Sequence, residues 1–354
     1  MNIYMKNNFF KIIIFLVILG CQPQLEEKEK PFLLVLNTLS ENLVYLKSKD
    51  DTDFKNGIIT GDAPNQIIYD NGYFFIVNSL SNSILKLDEY LNVVKEFGVL
   101  SDSNPYKAVI INEKIYITSY LLHSVMLYNH NDGKMLKSIP IESIEYGSKI
   151  YYPFPCGIVR YNNYLFVACK YTLDAGAQNA LKGRVVIIDV NQNKVTGYIQ
   201  SEGYNTTNIY IKNDDLYIIS TGTYNNGYQE DGIIEKVNLI TLNFNSVNTD
   251  TTIVANGNSF GTICFTEDFI FTGNIGNSKL IKFDNNFNQI EYKILKEDGF
   301  SFISAMRYYD KKIFLLEYNG STLYVIDPVT FYIKKKIKTS LNQYGDAIDL
   351  VIPY

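Results

Sequence analysis

Apolar residues run along this chain in short bursts, separated by clusters of Asn, Asp, Gly and Ser. The bursts are rich in Ile, Val, Tyr and Phe, which predicts short β-strands joined by tight turns. They also repeat. YFFIVNSLSNSILKLD (73–88) returns in degraded form as KIYITSYLLHSVMLYN, YLFVACK…GRVVIID, DLYIISTG…GIIEKVN, FIFTGNIGNSKLIKFD and KIFLLEYNGSTLYVID. One column of the repeat is aromatic, at Phe75, Tyr116, Phe166, Tyr217, Phe271 and Phe314, with spacings of 41, 50, 51, 54 and 43 residues. Strands at such a period predict four-stranded propeller blades.

Two further columns test the first. Pro64, Pro105 and Pro155 each stand eleven residues before a column aromatic. The midpoint between them predicts hairpin turns at Asn71-Gly72, Asn112-Glu113 and Asn162-Asn163, and the same spacing gives Asn213-Asp214 and Glu267-Asp268. Asn tolerates the positive φ of a type I′ turn, and Asn-Gly is the strongest short hairpin signal. The last repeat carries an extra residue around Tyr309-Asp310, which predicts a longer loop. The third column, Asp88, Asn129, Asp189, Asn238, Asp284 and Asp327, ends a strand in each repeat, where short side chains close Asx-turns.

Full repeats begin near residues 64, 105, 155, 206, 260 and 302. Phe32 to Lys47 matches only second and third strands, with Leu34 in the aromatic column, and Tyr344 to Tyr354 matches a lone first strand. Joined, the two ends complete a seventh blade and remove the exposed edge of an open ring. The expected fold is all-β: one seven-bladed propeller domain over residues 32–354, closed by pairing of the C-terminal strand with the N-terminal blade. The Pro start, the Ile-Val-Asn-Ser or Ile-Thr-Ser strand end, the Ser-Asn-Ser turn and the apolar-apolar-Asp close resemble the YVTN/YncE-like propeller repeat of bacterial exported proteins. That resemblance implies the architecture; propellers host many unrelated activities.

The N-terminus has a different pattern. Lys6 and Lys11 precede a short apolar run, Ile12 to Gly20, that suits a secretory signal and is too short to span a bilayer. Ile18-Leu19-Gly20-Cys21 resembles the lipobox of bacterial lipoproteins, which implies cleavage after residue 20 and acylation of Cys21. Polar residues 22–30 read as a tether between lipid and fold. The expected location is exported and membrane-anchored, with the outer membrane as destination.

Composition narrows the function classes. The chain has 29 Tyr, 21 Phe, no Trp and a net charge of −5, without a basic run, so nucleic acid is not an expected partner. With only two histidines, His123 and His130, both expected in exposed turns, a His-based metal or general-base site is not expected, nor is any cofactor. Two loops are enlarged, Lys170 to Arg184 and Thr221 to Gly232, and both should share a face with segments 142–155 and 201–208. Long loops on a rigid scaffold commonly carry binding. The candidate contact residues are Tyr151, Tyr152, Phe154, Tyr171, Asp174, Tyr204, Tyr224, Tyr228, Glu230 and Asp231, with Tyr146 beside them; packing of some tyrosines onto the blades is the competing reading.

Three residues near the channel mouth, Asn274, Glu317 and Asp346, offer oxygen ligands of the kind calcium takes; turn capping is the alternative. The four cysteines include Cys264, read as a buried thiol, and the pair Cys156 and Cys169. Counting outward from an Asn162-Asn163 turn places that pair opposite each other, close enough for a disulfide, with neighbouring reduced thiols as the alternative. The expected function is a monomeric, non-catalytic, membrane-anchored propeller that binds a protein or glycan at the cell envelope. The alternative is a propeller enzyme or redox subunit, lactonase-like or dehydrogenase-associated, using the central channel.

Overall fold

The computed structural model describes residues 29–296, 301–341 and 345–353. The proposed lipid attachment point Cys21 and most of the tether lie outside them. Strands and turns account for the fold; no helix occurs among the described residues. The repeats become antiparallel sheets in chain order, each four strands deep. Pro64–Asp70, Tyr73–Asn78, Ser83–Asp88 and Val93–Gly98 form one, and Pro105–Ile111, Lys114–Ser119, Ser124–Asn129 and Met135–Pro140 the next. Thr206–Lys212, Asp215–Ser220, Ile233–Asn238 and Thr252–Asn256 form a third.

The sheet built on Lys149–Tyr161, Tyr164–Thr172, Leu181–Asp189 and Lys194–Tyr204 has longer strands and gains Ile144–Tyr146 on one side and Val247–Asn248 on the other. The last two repeats are linked into one sheet, because Ile275 and Gly276 pair with Phe302 and Ser301. The C-terminal strand Ala347–Val351 pairs antiparallel with Leu33–Asn37 at the start of the body, and Asn42–Leu46 and Lys55–Ile59 complete that sheet. The first strand of each sheet lies against the first strand of the next, and Ala347–Val351 lies between Ser301–Tyr309 and Pro64–Asp70.

The aromatic column is core, as its period implies: Leu34, Phe75, Tyr116, Phe166, Tyr217, Phe271 and Phe314 are between 0% and 7% exposed. Apolar clusters form between neighbouring sheets, so Val125 and Leu127 of one pack with Leu165, Val167 and Val186 of the next. Every residue of the Asx column accepts backbone N–H bonds from its own turn; Asp88, for example, accepts from Tyr90 N (2.9 Å) and Asn92 N (2.8 Å). The same arrangement holds at Asn129, Asp189, Asn238, Asp284 and Asp327.

The first hairpins turn where the midpoints placed them. Asn71 and Gly72 both have positive φ (47° and 81°), the type I′ requirement, and Asn112, Asn162 and Asn213 are positive at the first turn position. The last hairpin corrects an expectation: Tyr309 pairs with Lys312, so the turn is the two residues Asp310-Lys311, both at positive φ, and not a longer loop. The hairpin has the length of the others, since Ile303 faces Glu317 as Pro64 faces Asn78.

A second correction concerns register. Each first hairpin carries a β-bulge near its loop-face end: Pro64 pairs with Asn78 but Gln66 with Val77, and Pro105 pairs with Ser119 but Ala108 with Ile117. Equivalent shifts occur between Pro155 and Ile158, Thr206 and Asn208, Phe260 and Thr262, and Ile303 and Ala305, and at Leu36/Asn37 against the C-terminal strand. A bulge puts extra residue on one strand only. Cysteine 169 therefore faces Pro155, and Cys156 sits on the bulge. Both thiols are free and buried, which overturns the expected disulfide.

Candidate functional site

The face at which the first strands begin carries the two enlarged loops, and both are tightly braced. The Lys170 ammonium, itself buried, donates to the carbonyls of Ala175 (3.1 Å) and Gly176 (2.7 Å) and lies over the rings of Tyr120 and Phe154. Burial depresses its pKa below the ordinary lysine range. Asn205 ties the two loops together, donating to Ala177 O (3.0 Å) and Gly222 O (2.9 Å). Loop 221–232 is closed by Asp231, whose oxygens accept from Thr223 N and Thr223 Oγ1 at 2.8 Å each. The buried Glu235 carboxylate fixes the incoming segment, accepting from Ser201 Oγ, from Glu202 N (3.0 Å) and from Thr251 Oγ1 (2.7 Å). Loops ordered in advance lose little freedom when they bind.

The candidate contact residues divide. Tyr151, Phe154 and Tyr171 are only 8%, 3% and 1% exposed, so for these three the packing reading holds and they present no contact surface. Tyr204 is half-buried. Asp174 and Asp231 are exposed, but they also cap their own loops, Asp174 accepting from Gly176 N at 2.8 Å. Tyr152 is 40% exposed and stacks on His123, and Tyr224 meets the ring of Tyr228 edge-on at 5.2 Å. Tyr146, at the tip of the small hairpin Ile144–Tyr146 and Lys149–Tyr151, is 67% exposed. Glu230 is exposed.

The histidines are not two exposed turn residues. His123 is half-buried, its Nδ1 lies 2.6 Å from Pro153 O, and burial lowers its pKa. His130 is buried edge-on to Phe75, with Nε2 3.1 Å from Asn112 O. Two of the calcium candidates, Glu317 and Asp346, hold backbone turns. Glu317 accepts from Ser301 Oγ and from Gly320 N (2.6 Å), and Asp346 accepts from Leu39 N (2.7 Å), Ser40 N (2.9 Å) and Ser40 Oγ. Asn274 donates to Asn258 Oδ1 at 3.4 Å. Among the described residues no group of three or more His, Cys, Asp or Glu converges as a metal site. The thiols are held neutral: burial pushes Cys156 up to about 11 and Cys264 up to about 12, and raises Cys169 as well. Thiolate chemistry needs the opposite shift.

A second site, absent from the candidates read in sequence, lies among the first strands. They line an open cavity of about 1040 Å³. Its wall carries Lys107, Arg307 and Asp349. Arg307 Nη2 lies 3.2 Å from Asp349 Oδ1, and Lys107 Nζ lies 3.8 Å from Asp349 Oδ2 and donates to Asn65 O at 2.9 Å. Asp349 also accepts from Ile67 N and Leu350 N. Burial depresses the Lys107 pKa, and the Asp349 carboxylate partly restores it. Tyr210 and Thr262 share a hydroxyl bond of 2.9 Å across two neighbouring first strands. What the cavity offers is fixed charge and hydrogen-bond donors. Its sequence signal was a charge in the middle of a predicted first strand, in PYKAV, SAMRYY and AIDLV.

No protein-family model matches the sequence, and neither does any curated protein sequence. Solved structures do match. The chain is similar to hydrazine synthase of Kuenenia stuttgartiensis, with a TM-score of 0.61 and 13% identity over 78% of this chain and 86% of that one. It is similar to a protein of unknown function from Desulfotomaculum acetoxidans, with a TM-score of 0.62 and 14% identity over 92% and 100%. A third is virginiamycin B lyase from Staphylococcus aureus, with a TM-score of 0.55 and 13% identity over 88% and 89%. At such identities the similarity speaks for the fold alone. The chain has a β-propeller fold.

Proposed function

We propose that this protein is a closed seven-bladed propeller, tethered to the outer membrane through lipid on Cys21, that binds a protein or glycan through its loop-rich face without catalysing a reaction. Closure is supported by the pairing of Ala347–Val351 with Leu33–Asn37 and by the contact of that strand with both neighbouring first strands. The signal, the lipobox and the polar tether support export. No helix among the described residues is long and apolar enough to cross a membrane.

The binding reading rests on one observation: beside long loops locked by Lys170, Asn205 and Asp231, Tyr224 of loop 221–232 stands exposed together with Tyr146 and Tyr152 of the strands Ile144–Tyr146 and Lys149–Tyr161. Exposed tyrosines on pre-ordered loops give contact area at low entropic cost. The test is capture from envelope extract and on a glycan array, comparing the wild type with Tyr146→Ala/Tyr152→Ala/Tyr224→Ala. At the most exposed of the three, Tyr146, the substitution changes stability by less than about 0.5 kcal/mol. Partners or glycans retained by the wild type should be lost by the variant. An unchanged set would remove the loop face from consideration.

A further inference from the structure

The charges in the central cavity do not balance. Its charged lining residues are Lys107, Lys212 and Arg307 against Glu267 and Asp349, one positive charge in excess, inside a protein whose net charge is −5. Near the centre, Lys107 and Arg307 share the single Asp349 carboxylate, which is buried and fully engaged. Stability alone does not explain this trio, since apolar side chains of similar volume commonly do as well as buried ion pairs. The Arg307 side chain is 38% exposed to the cavity, and its hydrogen bonds to Met306 O and Asp349 leave several of its five N–H donors unengaged among the described residues.

We propose that the cavity is a binding site for a small organic acid, whose carboxylate is received by Arg307 and Lys107 while Asp349 holds both cations in place. A monoanion matches the single excess charge; a phosphate dianion would overshoot it. The apolar body has a matching wall in the partly buried Tyr106, Tyr210, Ile275, Phe302 and Ile348, and the volume accommodates a ligand of drug size. Arg is the side chain best suited to planar, two-pronged recognition of a carboxylate.

The test uses 2-naphthoate and its uncharged isostere 2-naphthamide, titrated calorimetrically into the whole protein near neutral pH. Naphthoate should bind at least about tenfold more tightly than the amide, and added salt should narrow the gap. Arg307→Gln should bring the ratio close to one, and Lys107→Gln should reduce it. Inorganic phosphate at equal concentration should fail to displace naphthoate. Equal binding of acid and amide by the wild type, or an undiminished preference in Arg307→Gln, would overturn the proposal, as would displacement by phosphate. A purely structural role for Arg307 would lower the melting temperature without producing any acid–amide preference in the wild type. That wild-type ratio decides the matter even where a variant does not fold. It is also independent of the loop-face capture experiment.

Discussion

Replacing Leu350 by Ala tests how the chain ends are joined. Leu350 is 0% exposed, sits opposite Val35 in the pairing of the C-terminal strand with Leu33–Asn37, and packs in a cluster with Leu33, Leu316 and Leu323. Burying a leucine side chain contributes about 1.5–3 kcal/mol by area. Truncation adds the penalty of the cavity left behind, and the usual total is roughly 2–5 kcal/mol. This site should fall in that range, because β-strands wall it on several sides and a bonded sheet collapses little. The control is Leu341→Ala: the same chemical change at a side chain that is 96% exposed, expected within about 0.5 kcal/mol of the wild type. Urea unfolding followed by tyrosine fluorescence and far-UV circular dichroism gives both differences from the midpoints. If Leu350→Ala shifts stability by less than about 1 kcal/mol, or no more than Leu341→Ala, the C-terminal strand is not part of the packed body and ring closure fails with it.

Two other outcomes follow from the turns and the thiols. The Lys334 ion pair, then N–H bonds from Thr330 and Val329, lower the Asp327 pKa from 3.8 to about 2. A depressed folded-state pKa contributes stability above the unfolded value and loses it as pH falls from about 4 to about 2. Asp327→Asn keeps the Asx-turn, as Asn129 and Asn238 do, and loses the ion pair, so its deficit at neutral pH should be below about 1 kcal/mol and shrink across that window. A deficit that grows on acidification would contradict this origin. Cys156, Cys169 and Cys264 should resist iodoacetamide in the native protein near pH 8 and react promptly once it unfolds; rapid native labelling would show that burial does not hold them protonated.

Residue type and period alone determined the strand order, the aromatic core column, the Asn-led hairpins and the Asx-turns. These are local properties: alternation, turn chemistry and capping are decided within a few residues. The bulges were not legible, because a bulge is one unpaired backbone position that Asn65, Tyr106, Cys156 or Thr207 can occupy equally. Counting by strict alternation passed through it and put Cys156 opposite Cys169. Tyr151, Phe154 and Tyr171 carry the same composition signal as Tyr146, Tyr152 and Tyr224; only the packing of neighbouring sheets buries the first three and leaves the others in solvent. The charge trio is more remote still. Lys107, Arg307 and Asp349 meet because first strands far apart in sequence lie side by side, with Ala347–Val351 between Ser301–Tyr309 and Pro64–Asp70. A sequence period gives each strand its place in a blade, but which side chains face one another across a cavity depends on the sum of all the blades.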